Sequence, residues 1–311
     1  MGNIMDYIEW RGDLPFTQSE FNDVDNLILA CFSYVNLDGI QEAASQNGIE
    51  LKALTEKFLQ LHTEKELKED KSFIRFAPFM MLEMAKTERF GQCVIRNYVN
   101  EIVAEEAQQF SAVEISNYIN DINLKEQSQF CAMTIRLDDG SFFVVYSGTD
   151  NTIVGWKEDF NLSTGVVPAQ ERAVEYLRRI AGSLQEMVRV GGHSKGGNLA
   201  VYGAVMCKEI HPWILQVYSN DGPGFSREFL ELPETEALLP KVTRIIPEYS
   251  IIGTLLEHSK EPVLVASSNK GLLQHDGFSW EVSGNHFASK EQLSSRAETF
   301  VSILHKWIDG M

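Results

Sequence analysis

Val188-Arg189-Val190-Gly191-Gly192-His193-Ser194-Lys195-Gly196-Gly197-Asn198-Leu199-Ala200 decides how this chain is read. An apolar strand enters, a serine stands at a tight turn between glycines, and a helix rich in small residues leaves. Gly192-x-Ser194-x-Gly196 has the spacing of a nucleophile elbow, a sharp strand-to-helix turn that lifts the serine hydroxyl above the sheet edge. Glycines two before and two after let strand and helix approach without side-chain collision. The helix N-terminus turns its amides, and the positive end of its dipole, toward any oxyanion formed there. A serine that merely caps a helix beside a phosphate-binding turn is the alternative. Against it, Gly191 to Gly196 satisfies neither the dinucleotide pattern nor the phosphate-loop pattern.

Outward from this turn the chain alternates strand and helix. Cys131 to Leu137, Asp138-Asp139-Gly140 and Ser141 to Tyr146 read as a hairpin with a turn-forming Asp-Gly. Gln170 to Leu184 is an amphipathic helix, with Ala173, Val174, Leu177, Ile180, Ala181 and Leu184 on one face. Met187 to Val190, Trp213 to Ser219, Val242 to Ile246 and Pro262 to Ala266 are further strands. Leu199 to Met206 is apolar almost all round, as a helix packed on a sheet requires, and Ser289 to Trp307 closes the chain as a helix. This order predicts an α/β fold with a mostly parallel central sheet covered by helices on both faces. Residues 1–128 are read as mainly helical, with helices at Asp23 to Val35, at Leu51 to His62 and from Pro78. The Met-rich face after Pro78 suits either a core or a cover over an apolar cleft. We expect residues 1–311 to form one domain, the helical part wrapping a catalytic sheet core at 129–311.

At 311 residues the chain can bury a sizeable core, and its apolar fraction of 44% is ordinary for a globular protein. The net charge of −17 argues against a nucleic-acid partner and against docking on anionic lipid. No apolar run is long enough to span a membrane. The first residues carry neither a secretory signal nor a myristoylation signal. Cys31, Cys93, Cys131 and Cys207 are widely spaced, which fits reduced, buried thiols in a cytoplasmic protein and not a metal site. No metal and no cofactor is expected.

A serine hydroxyl needs a base to take its proton and dipoles to receive the charge on the attacked oxygen. Lys195 supplies one amide. Ser147-Gly148-Thr149-Asp150 ends a strand in a glycine turn 45 residues before Ser194, the length of one strand–helix–strand crossover. Thr149 is therefore the second candidate donor, with Asp150 and Asp159 bracing its loop. In hydrolase order the acid and then the histidine follow the serine. Of the late histidines, His275 in a polar turn is favoured, His286 is the alternate, and His258 and His305 are less suited. Asp221, in Asp221-Gly222-Pro223-Gly224 after the next strand, is the favoured acid; Glu248 is its rival. Each could equally be a surface, capping or turn residue.

These residues together resemble the class 3 (fungal-type) lipases, which are α/β-hydrolases. Ser147-Gly148-Thr149 matches their strand-ending glycine turn, Trp156 and Asp159 match residues downstream of it, and Gly192 to Gly196 matches their elbow. Nearly the whole chain resembles a bacterial branch of that superfamily. It does so through Trp10-Arg11-Gly12-Asp13, Gly155-Trp156-Lys157-Glu158-Asp159-Phe160, the elbow, Asp221-Gly222-Pro223-Gly224-Phe225 and Gln274-His275-Asp276 before Trp280. The resemblance implies an α/β-hydrolase fold and a serine esterase or lipase-like hydrolase that acts on a small-molecule or lipid ester through an acyl-enzyme. An acyltransferase or thioesterase would use the same machinery. The class 3 lipases hold their acid in an Asp-Ile-Val-Pro segment, whose counterpart here is Ser250-Ile251-Ile252-Gly253. That departure also admits a degenerate hydrolase used as a binding scaffold.

Overall fold

The computed structural model describes residues 1–45, 48–63, 76–91, 113–123, 128–148, 165–181, 186–297 and 299. Among the described residues, eight strands form one sheet in sequence order: β1 (Ile49–Glu50), β2 (Glu114–Asn123), β3 (Ser128–Arg136), β4 (Phe142–Tyr146), β5 (Val188–His193), β6 (Ile214–Asn220), β7 (Val242–Pro247) and β8 (Val263–Val265). Pairs from β1 to β4 are antiparallel, and pairs from β4 to β8 are parallel. A two-stranded hairpin, β9 (Val282–Ser283) with β10 (His286–Phe287), pairs separately, and residues flanking it are bridged to the β8 edge. The expected Asp-Gly hairpin joins β3 to β4, with Gly140 at φ 84°.

Parallel strands laid side by side in sequence order, joined by right-handed crossovers, put their helices on one face of the sheet. Helices α5 (Pro168–Ala181) and α6 (Lys195–Met206) cover that face. The opposite face needs another source of apolar surface, and the N-terminal part provides it through α1 (Ile4–Arg11), α2 (Asp23–Phe32), α3 (Leu51–Leu61) and α4 (Phe76–Met84). The period-2 alternation of the strands divides the core accordingly. Phe143, Val145, Met133 and Ile135 join the N-terminal helices, while Val144, Tyr146, Phe130 and Ala132 join α5 and α6. Met80, Met81 and Met84 are fully buried in the first of these clusters, so the Met-rich face belongs to the core. The fold is thus α/β, with a largely parallel central sheet flanked by helices and a helical N-terminal extension.

Part of the sequence expected to be helical enters the sheet as β1 and β2. Strand β2 carries a bulge between Ser116 and Ile119, with Asn117 at φ 54°. The extra residues shift the apolar positions from strict alternation to Ile115, Tyr118, Ile119 and Ile122, a spacing that mimics a helical face. The N-terminal segment is fastened by a fully buried ion pair, Arg89 Nη2 to Asp25 Oδ2 at 2.6 Å. The same guanidinium donates to the carbonyls of Leu14, Ser19 and Glu20. Tyr7 donates its hydroxyl to Asp25. Two short helices, α7 (Arg227–Leu230) and α8 (Pro233–Leu238), follow β6. Of the expected last helix, residues beyond 299 lie outside the described residues. Among the described residues no helix is long and apolar enough to cross a membrane.

Candidate active site

Strand β5 ends at His193 and α6 begins at Lys195, so Ser194 alone makes the turn. It does so at φ 57°, ψ −130°, a left-handed backbone that a non-glycine residue adopts only under constraint. The constraint is visible around it: Ser194 donates its N–H to the Asn220 carbonyl at 2.9 Å, and the Gly197 N–H returns to the Ser194 carbonyl at 2.9 Å. A Cβ at Gly192 would lie 2.4 Å from the Gly196 carbonyl carbon, and one at Gly196 would lie 2.1 Å from the Tyr146 oxygen. Strand and helix therefore approach at a distance that only glycine permits.

The Ser194 Oγ lies 3.0 Å from His275 Nε2, and His275 Nδ1 lies 2.6 Å from Asp221 Oδ2. A carboxylate can only accept, so Nδ1 carries the proton and Nε2 turns its lone pair to the serine. Ser194 and His275 are half-buried, whereas Asp221 is 1% exposed. Asp221 leaves the end of β6 at φ 49° and anchors its N–H on the Ile245 carbonyl of β7. Its second oxygen, Oδ1, accepts from Ser250 Oγ, which itself accepts from the Gly253 N–H at 2.9 Å. Ser250 thus holds Asp221 in place. The remaining sequence candidates lie elsewhere. Glu248 pairs with Lys290 at 3.1 Å, and His286 is exposed on the β9–β10 hairpin beside Asn285. Thr149, Asp150, Trp156, Asp159 and His305 lie outside the described residues.

Register places the end of β4 beside the elbow, Tyr146 opposite Gly192, so the Ser147-Gly148 turn flanks Ser194. The Lys195 N–H heads α6, at the end where helix amides point outward. Its side chain is buried and donates from Nζ to the Gln129 carbonyl at 3.2 Å. Among the described residues no group of three or more His, Cys, Asp or Glu side chains is placed to hold a metal ion.

Two residues that the sequence reading passed over hold His275 from behind. His193 is buried, with Nε2 2.8 Å from the His275 carbonyl and Nδ1 2.9 Å from the Tyr34 hydroxyl. The carbonyl can only accept, so Nε2 donates and Nδ1 receives the tyrosine proton. Burial, reinforced by the neighbouring His275, pushes the His193 pKa down to about 3 and keeps the ring neutral. The His275 turn is further pinned by Trp280 Nε1 donating to the Gln274 carbonyl and by Gln274 Oε1 accepting from the Tyr249 N–H. The signal for His193 was its place on a strand, one residue before the elbow, with its side chain facing the N-terminal helices.

Residues 110–311 match the Mbeg1-like family. No curated protein matches the chain. Among solved structures, the chain is similar to the M37 lipase, at 14% identity and TM-score 0.43, covering 75% of this chain and 69% of that one. It is similar to the Rhizomucor miehei lipase in its propeptide complex, at 16% identity and TM-score 0.34, covering 50% of this chain and 57% of that one. It is also similar to lipase II from Rhizopus niveus, at 15% identity and TM-score 0.38, covering 61% of this chain and 78% of that one. The family match extends over more than half of the chain and includes every residue of the Ser194–His275–Asp221 arrangement: the chain belongs to the Mbeg1-like family.

Proposed function

We propose that this protein is a serine hydrolase of the α/β-hydrolase type, one domain, that cleaves carboxylic esters through an acyl-enzyme on Ser194. The observation that carries this reading is the unbroken hydrogen-bond chain from the strained Ser194 through His275 to the buried Asp221. Ser194 Oγ attacks the ester carbonyl carbon while His275 Nε2 takes its proton; Asp221 holds the tautomer and balances the imidazolium. The tetrahedral oxyanion is received by the amides of Lys195 and Thr149. His275 then gives the proton to the departing alcohol, leaving an acyl group on Ser194. Water, activated by the same imidazole, releases the carboxylic acid and restores the serine. The buried thiols of Cys31, Cys131 and Cys207 support a reducing, cytoplasmic setting.

Hydrolysis of a p-nitrophenyl ester by the intact protein tests the reading. We expect a burst of nitrophenolate followed by slower turnover, lost in Ser194→Ala and His275→Ala and retained in His286→Ala. Full activity in Ser194→Ala would overturn it, and a folded protein inert toward esters and acyl thioesters would favour the scaffold reading.

A further inference from the structure

Asp221 carries its charge in a place that disfavours one. It is 1% exposed, and its hydrogen bonds among the described residues come from Ser250 Oγ and His275 Nδ1, both neutral groups while His275 stands ready as a base. A buried carboxylate needs an opposite charge nearby or it takes up a proton. Strand β7 provides one. Its Ile245 carbonyl holds the Asp221 N–H, and the residue before Ile245 is Arg244, 8% exposed. The guanidinium donates from Nη1 to the Lys260 carbonyl and from Nη2 to the Gly253 carbonyl. Gly253 packs directly on the carboxylate: a Cβ there would lie 2.4 Å from Asp221 Oδ1 and 2.7 Å from Ser250 Oγ. Its N–H donates to Ser250 Oγ, which donates to Asp221. Arg244 is thus tied, through one residue, to the turn that holds the acid. Burial pushes the Arg244 pKa down to about 10 while Asp221 and Glu261 hold it up, so it stays a cation at neutral pH.

We infer that Arg244 is a positioning residue for the Ser194 reaction: it clamps the 250–254 turn onto Asp221 and supplies the fixed positive charge that keeps the Asp221–His275 pair in its working state. This inference rests on the ester-hydrolase reading of the site. The working pair is an ionised Asp221 with a neutral His275 and carries one net negative charge. Protonation of the imidazole cancels that charge and stops proton transfer from Ser194. A permanent cation beside the pair favours the negative form, so it extends activity toward lower pH. The other ionisable groups around the pair do not supply that charge. His193 on β5 and His258 beyond the turn are held neutral by burial, each at a pKa of about 3. Lys195 of α6 turns its Nζ to the Gln129 carbonyl. Asp276, which acts on His275, and Glu261, which acts on Arg244, are acids.

The acid limb of the kcat/KM profile for p-nitrophenyl acetate tests this in three variants of the intact protein, each checked for native circular dichroism. Arg244→Gln keeps a donor for the Gly253 carbonyl and removes the charge. Arg244→Met removes both, in surroundings that include Val201, Val205 and Val242. Arg244→Lys keeps the charge and loses the fork. In the two neutral variants the limb is expected to move up by about one pH unit, the effect of one partly screened charge. In Arg244→Lys it is expected to stay near that of the parent. Arg244→Met is also expected to lower the plateau of kcat about tenfold, through the released turn. A merely structural role would lower the plateau and leave the limb in place. The same displacement is read without turnover in the NMR titration of the His275 ring, assigned by its absence from His275→Gln. A limb and a ring titration unmoved in both neutral variants, or moved as far in Arg244→Lys, would overturn the inference. A protein inert toward esters whose His275 titration still follows the charge at position 244 would refute the hydrolase reading and leave the link from Arg244 to the pair standing, so the two failures are distinguishable.

Discussion

Replacing Asp221 by asparagine keeps the shape of the side chain and removes its charge, and the surroundings dictate which way the amide must face. Ser250 Oγ accepts from the Gly253 N–H, so its own proton points at Asp221 Oδ1. An asparagine there keeps its carbonyl oxygen on Ser250 and turns its NH2 toward His275 Nδ1, which must then accept. The proton moves to Nε2, and the imidazole can no longer take one from Ser194. The lost charge adds to this. A carboxylate and an imidazolium about 4 Å apart between charge centres attract by about 4 kcal/mol at an effective dielectric constant near 20. Asp221 is buried and the His275 side chain is 25% exposed, so solvent screens the pair only in part. That energy corresponds to roughly a thousandfold in kcat, the minimum expected for Asp221→Asn in p-nitrophenyl acetate hydrolysis. Removing the dictating hydroxyl as well, in Asp221→Asn with Ser250→Ala, lets the amide turn over and is expected to restore about tenfold, the worth of one hydrogen bond. A correctly folded Asp221→Asn protein within about tenfold of the parent would refute the reasoning, and so would a double variant slower than the single one.

Four further outcomes follow from the same structure. His193→Gln keeps a donor toward the His275 carbonyl, whereas His193→Ala and Tyr34→Phe disturb it; kcat is expected to fall about tenfold in the latter two with KM little changed, and His193→Gln to recover part of the loss. Gly196→Ala puts a methyl 2.1 Å from the Tyr146 carbonyl oxygen, so urea unfolding is expected to show a loss at or above the roughly 1–3 kcal/mol usual for overpacking. Arg89→Met strands the Asp25 carboxylate in the core and is expected to cost about 3–5 kcal/mol by the same measurement. His193 and His258 are held neutral when folded, with pKa values of about 3 each, but take up protons near pH 6.5 when unfolded. Their contribution is therefore complete above pH 6.5 and is lost as pH falls toward 3, by up to about 1.4 kcal/mol per pH unit for each. Urea midpoints between pH 7 and 4 should show this slope, and His193→Gln should flatten it.

The sequence disclosed most where local geometry restricts residue type. Gly192, Ser194 and Gly196 announce a turn because a side chain at either glycine collides with main chain, and Asp138-Asp139-Gly140 announces the β3–β4 hairpin because Gly140 must take a positive φ. Strand β2 stayed hidden because its bulge at Asn117 converts alternation into helix-like spacing. The partners of Ser194 could be narrowed but not chosen, since Asp221 and Glu248 both follow strands and His275 and His286 both stand in polar turns. Only distances separate them: His275 lies in contact with both Ser194 and Asp221, while Glu248 is engaged with Lys290. Ser250 illustrates the same limit. Read along the chain it is a missing acid; in space it is a hydroxyl on the carboxylate of a neighbouring strand.

Treatment of the folded protein with a fluorophosphonate, followed by intact-mass and peptide mass spectrometry, addresses the nucleophile most directly. One phosphonyl group per chain, carried by the peptide containing Ser194 and absent from Ser194→Ala, is the expected result. A folded wild-type protein that takes up no label, or an adduct that persists on Ser194→Ala, would contradict the assignment of Ser194 as the nucleophile.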